Sequence, residues 1–239
     1  MRKTLFYIGI LFITGSCNII AHETIHGNGN MRSETRNVSD ASKIESRGFF
    51  DVEIIQGPTP SVKIDADENL IPYIITGVED GRLVLRTKED VNLSSNNKIK
   101  VTVTTNKLEE VQVNGSGNIT SSSKFTDGDY LKLGIDGSGD MQLDVNTPRV
   151  ETSISGSGNI TLSGETKDSK IDINGNGDYK AEGLLAENAE VQINGSGNAR
   201  VSASVNLDVR IAGSGDVYYK GNPALKTNIA GSGSIKQLP

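Results

Sequence analysis

The chain of 239 residues contains 30 acidic and 24 basic side chains, which gives a formal net charge of −6. This charge and an aromatic content of only 5% argue against nucleic-acid binding, which requires a basic patch and stacking rings. A single cysteine excludes a disulfide within the chain, and two histidines near the start do not make a structural zinc site.

The first sixteen residues have the organisation of a secretory signal peptide. Two basic residues precede an apolar run of about ten residues, which is too short to span a membrane. Cys17 follows two small residues, as the acylated cysteine of bacterial lipoproteins does, although Thr14 stands where that pattern usually has Leu, Val or Ile. We therefore expect cleavage before Cys17 and lipidation of this residue, with an ordinary cleaved signal as the alternative. Asn18, by similarity to other lipoproteins, favours the outer membrane, on its periplasmic or its external side.

Two regions separate this signal from the repeats described below. Residues 17–42 are polar and predict a tether. Residues 43–107 alternate between apolar and polar positions and predict an aperiodic N-terminal β region, with a short helical turn within Asp67–Ile74. The expected strands are Phe49–Ile55, Ser61–Ala66, Ile71–Thr76, Gly81–Thr87 and Lys98–Thr104.

Residues 108–239 contain seven copies of one motif, an apolar residue followed by x-Gly-x-Gly, a polar residue (Asn, Asp or, last, Ser) and a further residue that is usually apolar. Its first glycines are separated by 22, 19, 19, 20, 18 and 18 residues. Such a period predicts a solenoid in which each copy forms one coil. The first glycines of the seven copies are Gly115, Gly137, Gly156, Gly175, Gly195, Gly213 and Gly231.

Apolar residues occupy every second position on both sides of each glycine pair, which is typical of strands with one buried face. Glycine is expected where the two strands of a coil meet, because positive φ or close backbone approach excludes a Cβ atom. The predicted fold is therefore all-β: a single-stranded right-handed parallel β-helix with about 18–22 residues per coil.

The residue after the second glycine alternates between Asn and Asp through six coils. In stacked coils, neighbouring Asp side chains would repel, whereas an Asn between two Asp residues can donate a hydrogen bond to each side. We interpret the series as a hydrogen-bonded ladder that fixes the register of the coils. A row of calcium ligands is the alternative, although calcium-binding β-rolls place Asp at a different offset and use a shorter repeat. The ladder residues are Asn118, Asp140, Asn159, Asp178, Asn198 and Asp216.

Two further sets of side chains have candidate functions. Paired carboxylates could cleave a glycan, but solvated turn carboxylates explain the four candidates equally well. Three tyrosines could stack on sugars, but Tyr179 and Tyr219 have the parity of core residues. The carboxylates are Asp136, Asp140, Asp172 and Asp178, and the tyrosines are Tyr179, Tyr218 and Tyr219.

Together with the repeats, four upstream segments resemble the family named "putative auto-transporter adhesin, head GIN domain". They are R-G-F-F-D-V-E-I-I-Q-G at Arg47–Gly57, E-N-L-I-P-Y-I-I-T at Glu68–Thr76, D-G-R-L-V-L at Asp80–Leu85 and V-T-V-T-T-N-K-L-E-E-V at Val101–Val111. The similarity covers about residues 38–239. It implies a right-handed β-helix, a lipid-anchored or secreted protein of Bacteroidetes-like bacteria and a role in adhesion, with no catalytic residues to transfer.

The leading interpretation is a lipid-anchored envelope protein that binds a surface protein or a glycan, with no enzymatic activity, cofactor, metal or nucleic-acid partner. The first alternative is a structural or assembly protein of the envelope that acts as a homo-oligomer. The second is a glycan-active β-helix enzyme.

Overall fold

The computed structural model describes residues 23–126 and 128–239, so Cys17 and the expected signal peptide lie outside the described residues. These residues form twenty strands and one short 3-10 helix, Ile71–Tyr73, where the short helical turn was expected. No helix in this part of the chain has the length and apolar character needed to cross a membrane.

The strands of the N-terminal region are β1 Glu23–His26, β2 Met31–Asn37, β3 Lys43–Gly48, β4 Asp51–Gln56, β5 Ser61–Asp67, β6 Ile74–Glu79, β7 Arg82–Thr87, β8 Val91–Ser94 and β9 Lys100–Thr105. Those of the repeat region are β10 Glu110–Gly115, β11 Asn118–Phe125, β12 Leu131–Gly137, β13 Asp140–Asn146, β14 Arg149–Gly156, β15 Asn159–Gly175, β16 Tyr179–Gly195, β17 Ala199–Gly213, β18 Val217–Lys220, β19 Ala224–Gly231 and β20 Ile235–Gln237.

The repeat region is a parallel β-solenoid, which confirms the predicted fold. Each coil contributes one stretch to sheet I, turns at its glycine pair, contributes one stretch to sheet II, and then passes to the next coil. Sheet I contains β10, β12, β14, the second halves of β15, β16 and β17, and β19. Sheet II contains β11, β13, the first halves of β15, β16 and β17, and then β18 and β20. Equivalent motif residues pair across neighbouring coils, as Gly115 does with Gly137 and Gly137 with Gly156.

The core is a stack of identical inward positions between the two sheets. One column runs through Ile135, Ile154, Ile173, Ile193 and Ile211, all at most 2% exposed. Because strand residues alternate between the two faces of a sheet, each coil buries only a few side chains, and the coils above and below complete their burial. This arrangement accounts for a stable stack in a chain with few large apolar residues.

The N-terminal region joins the solenoid and corrects two predictions. The expected tether, residues 17–42, contains two paired strands: β1 pairs with β8, and β2 pairs antiparallel with β5. The side chains of β2 are mostly exposed, so this strand carries no apolar alternation that sequence patterns could show.

The region expected to be aperiodic contains a further coil of the repeat geometry. Strands β3 and β4 stack below β10 and β11, with Gly48 opposite Gly115 and Asp51 opposite Asn118. Below them, β7 and β9 extend sheets I and II, and the antiparallel strands β6 and β5 cover β7 and β9 respectively. The period is interrupted because β5 to β9 are inserted between this coil and the next one.

Candidate functional site: the outer face of sheet II

The first glycine of every motif is required by the contact between neighbouring coils. All seven predicted glycines have φ between +121° and +138°. The carbonyl oxygen of Gly175 accepts two backbone hydrogen bonds from the next coil, from Ser196 N at 2.9 Å and Gly197 N at 3.1 Å. A Cβ atom on Gly195 would overlap this same carbonyl oxygen. Positive φ and the stacked carbonyl therefore both exclude a side chain.

The second glycine is excluded from having a side chain by a different contact. A Cβ atom on Gly158 would overlap the carbonyl oxygen of Gly139 and lie 2.7 Å from a methyl group of Ile135 in the core column. The residue between the two glycines is exposed, as Ser157 is, and only its backbone N–H takes part in the stack. The turns thus form a tight edge where the two sheets meet, and they set the position of the residues that follow.

Directly after the turns, the Asp/Asn ladder runs along the outer face of sheet II. Each backbone N–H donates to the side-chain oxygen of the preceding coil, as Asp178 N donates to Asn159 Oδ1 at 3.3 Å and Asn198 N to Asp178 Oδ1 at 3.1 Å. The amide of each ladder Asn also donates back to the preceding Asp, as in Asn198 Nδ2 to Asp178 Oδ1 at 3.0 Å. The coils are therefore joined by side chains as well as by the backbone of the sheets.

Two features of the ladder differ from the expectation. The Asn amides donate only to the preceding Asp and not to both neighbours, because the Asn oxygen accepts the backbone N–H of the following coil. The ladder also extends at both ends: Asn118 Nδ2 donates to Asp51 Oδ1 at 2.9 Å, and Ser234 Oγ donates to Asp216 Oδ1 at 2.7 Å. Hydrogen bonds from Ser234 Oγ and N lower the pKa of Asp216.

Two residues beyond the ladder, a second series of outward side chains, here called the outer row, runs parallel to it. A shallow groove of about 590 Å³ lies between these series, with Asn118, Asp140, Gln142 and Thr161 among its lining residues. A smaller concavity of about 200 Å³ continues it and shares Lys180. The outer row consists of Glu53, Thr120, Gln142, Thr161, Lys180, Arg200, Tyr218 and Lys236, each paired in register with the next.

The four candidate catalytic carboxylates are distributed over two faces. Asp140 and Asp178 are ladder residues on sheet II and are separated by the Asn159 coil. Asp136 accepts a hydrogen bond from Gln112 Nε2 at 3.0 Å on sheet I, and Asp172 lies 3.6 Å from Lys170 on the same sheet. The structure therefore does not place all four candidate carboxylates around one glycosidic bond, which a catalytic acid and its nucleophile must flank.

The three candidate tyrosines have different environments. Tyr179 is 1% exposed, its hydroxyl lies 3.5 Å from Ser169 Oγ, and burial raises its pKa to about 12. Tyr219 is partly buried against the core. Tyr218 belongs to the outer row, and its hydroxyl donates to Asp216 Oδ2 at 3.2 Å. Of the three, Tyr218 alone belongs to the outer face of sheet II.

Within residues 23–126 and 128–239, no three His, Cys, Asp or Glu side chains are close enough to hold a metal ion. The Asp residues of the ladder instead use Oδ1 to accept hydrogen bonds from the following coil. In the ladder, sequence patterns missed Asp51, whose signal was its offset from Gly48, which matches the offset from Gly115 to Asn118.

Several solved structures are similar to this chain. One, described as a putative adhesin from Bacteroides fragilis, is 22% identical with a TM-score of 0.83 and covers 90% of this chain and all of its own. A putative lipid binding protein from Parabacteroides distasonis is 28% identical, with a TM-score of 0.76 and coverage of 91% and 100%. A putative adhesin from Parabacteroides merdae is 26% identical, with a TM-score of 0.73 and the same coverage. No curated protein matches the chain.

The model of one protein family matches residues 40–223, a range that includes the upstream coil and six of the seven glycine motifs. The resemblance seen in the sequence is thereby confirmed, and a family of this kind indicates a binding protein of the cell envelope or surface. The chain belongs to the family described as "Putative auto-transporter adhesin, head GIN domain".

Proposed function

We propose that this protein is a lipid-anchored binding module of the bacterial envelope, which captures a glycan or a surface protein on the outer face of sheet II. The observation that carries the proposal is the groove between the Asp/Asn ladder and the outer row. It is open, extends over several coils and is lined by side chains that donate and accept hydrogen bonds.

The rigidity of this face supports a binding role. The ladder fixes each Asp and Asn by hydrogen bonds from the next coil, and the glycine turns fix the start of each sheet II stretch in the repeat region. A ligand that contacts this face therefore orders few additional groups, which lowers the entropic cost of binding. Amide, hydroxyl and carboxylate groups at regular spacing match the hydroxyl groups of a saccharide chain.

Attachment through Cys17 would place this face outside the cell or in the periplasm, depending on the leaflet. The first experiment is protease treatment of intact cells that carry the full chain, with Cys17→Ala as the control for anchoring. We expect external protease to degrade the wild-type protein at the cell surface and the variant to leave the membrane fraction. Protection until the outer membrane is breached would contradict capture of an external ligand.

The second experiment locates the binding face. Gln142→Trp fills the groove with a bulky side chain, and Gln192→Trp makes the same change on an outward position of sheet I. The full chain, purified in detergent, is applied to arrayed glycans and to phospholipid vesicles, because one similar structure is named a lipid binding protein. We expect glycan binding to be lost only with Gln142→Trp. Equal binding by both variants would contradict the assignment to sheet II.

A further inference from the structure

The outer row changes its chemical character along the stack. Its upper part, in the direction of the C-terminus, is basic and aromatic, whereas the part in the middle of the stack is neutral and polar. From Thr120 to Lys236 the row crosses six coil steps, which corresponds to roughly 29 Å at the spacing of neighbouring strands. The neutral residues are Thr120, Gln142 and Thr161, and the residues of the upper part are Lys180, Arg200, Tyr218 and Lys236.

The three cations of the upper part hold their nearest carboxylates loosely. The closest N···O distances are 3.9 Å for Lys180, 3.6 Å for Arg200 and 4.0 Å for Lys236. Between 46% and 58% of each of these side chains is exposed. On sheet I, by contrast, Arg210 donates to Glu190 at 2.6 Å. Within the described part of the chain, the three cations of the outer row donate no side-chain hydrogen bond. Beside these long ion pairs, their N–H groups keep donor capacity for a ligand.

Tyr218 holds two of these cations in place. Its ring centroid lies 5.1 Å from the Arg200 guanidinium carbon and 5.6 Å from Lys236 Nζ, within the range of cation–π attraction. The hydroxyl is fixed by Asp216, whose other oxygen is engaged by Ser234 in the ladder. The ladder thus orients the ring, and the ring orients one cation from the coil before it and one from the coil after it.

We infer that the outer row binds a linear acidic polysaccharide, whose negative groups contact the basic upper part while its hydroxyl groups contact the neutral part. This inference rests on the proposed function and names the class of its ligand. A free phosphate or a lipid headgroup would use the cations but not the hydroxyl and amide groups of Thr120, Gln142 and Thr161. A neutral glycan would use the groove but leave the cations without a partner. A polymer that carries both hydroxyl groups and repeated charges uses the row from Thr120 to Lys236.

The test measures binding of tetragalacturonate and a chondroitin sulfate tetrasaccharide to the full chain in detergent, with maltotetraose as the neutral probe. Arg200→Ala removes the central cation. Its matched control is Arg149→Ala, because Arg149 lies in β14 of sheet I with its guanidinium carbon 5.9 Å from the ring of Tyr130, which is the same type of contact. Tyr218→Ala and Tyr218→Phe separate the ring from its hydroxyl, with Tyr130→Ala as control. Vesicles of phosphatidylglycerol provide the lipid arm.

We expect both acidic probes to bind and maltotetraose to bind at least about tenfold more weakly, since charge-assisted contacts are the stronger ones. Arg200→Ala and Tyr218→Ala should each weaken acidic binding about tenfold. Tyr218→Phe, which keeps the ring but loses the hydrogen bond to Asp216, should weaken it less, and the two control variants should retain it. Higher salt should weaken the binding of the wild-type chain and should affect Arg200→Ala less.

Four outcomes would overturn the inference. If Arg200→Ala binds both acidic probes as tightly as the wild type, or if neither probe binds, the basic part has no role in saccharide capture. If binding occurs only to anionic vesicles, the ligand class is wrong. If maltotetraose binds as tightly as the acidic probes and Gln142→Trp abolishes this, the charge requirement fails while the proposed glycan binding stands.

Discussion

Asn159 donates two hydrogen bonds to the same oxygen of Asp140, one from its side-chain Nδ2 at 2.8 Å and one from its backbone N at 3.1 Å. The same side chain accepts a hydrogen bond from the backbone of Asp178 through Oδ1. An amide can perform both tasks, whereas a carboxylate can only accept. An Asn is therefore needed between two Asp residues of the ladder as a hydrogen-bond donor, and it also keeps their negative charges apart.

We predict that Asn159→Asp lowers the free energy of unfolding by about 1 kcal/mol or more, because a donor is lost and three carboxylates become neighbours. Urea denaturation at low and high salt measures this effect, and high salt should reduce its electrostatic part by screening the repulsion between the carboxylates. Asn176→Asp is the control, since Asn176 is exposed between two turn glycines. Equal destabilisation by the two variants would mean that the ladder contributes nothing.

Gly195→Val should destabilise the protein by more than about 2 kcal/mol. Gly195 has a φ of 138°, and a Cβ atom would overlap the carbonyl oxygen of Gly175. Ser196→Ala, one position later, should change stability by less than about 0.5 kcal/mol because only the backbone of Ser196 contacts the neighbouring coil. Thermal unfolding of both variants tests the turn geometry, which is refuted by an unchanged melting temperature for Gly195→Val.

Alkaline pH should destabilise the core through Tyr179, whose pKa is raised to about 12 by burial. An ordinary tyrosine ionises near pH 10, so above this pH the unfolded chain releases its proton while the folded chain retains it. Stability is therefore complete below about pH 10 and should fall by up to about 3 kcal/mol as the pH approaches 12. Tyr179→Phe should remove this loss and Tyr218→Phe should not, as denaturant titrations at pH 8 to 12 would show.

Asp67 should make the N-terminal region sensitive to acid. This side chain is 1% exposed and accepts hydrogen bonds from Ser95 Oγ and from Asn97 Nδ2, which lower its pKa. A lowered pKa means that this stabilisation is present above the ordinary value and is lost as the pH falls through the folded value. Asp67→Asn should flatten the acid branch of the stability profile.

Asp129→Asn, at an exposed loop position, is the control for that change. Hydrogen exchange at residues 27–30 and 95–97, measured at several acidic pH values, reports on the same contacts. Exchange that does not depend on Asp67 would show that other contacts hold these segments.

The repeat region could be predicted from the sequence because each of its coils has nearly the same neighbours. Gly175 and Gly195 each face the carbonyl oxygen of the first glycine in the preceding coil, and Ile173 and Ile193 occupy the same column, so the same residue types recur. Period-two alternation then fixes which side chains are buried. The ladder positions followed from the same repetition.

The upstream coil was missed because its immediate surroundings differ. Phe50 stands where every later coil has its second glycine, and it is fully buried. A side chain fits there because no glycine turn lies beneath it: β7 and β9, which extend the sheets below, are joined by residues 88–99. The pairing of β2 with β5 and the loose ion pairs of the outer row depend on three-dimensional contacts that no local pattern encodes.

The order of the ladder limits how such a protein can change in length during evolution. From Asp51 to Asp216, aspartate and asparagine alternate without interruption. Duplication of a single coil would place two carboxylates or two amides side by side, whereas duplication of two adjacent coils would restore the order. The gene can therefore lengthen or shorten this surface most readily in steps of two coils, or about 10 Å.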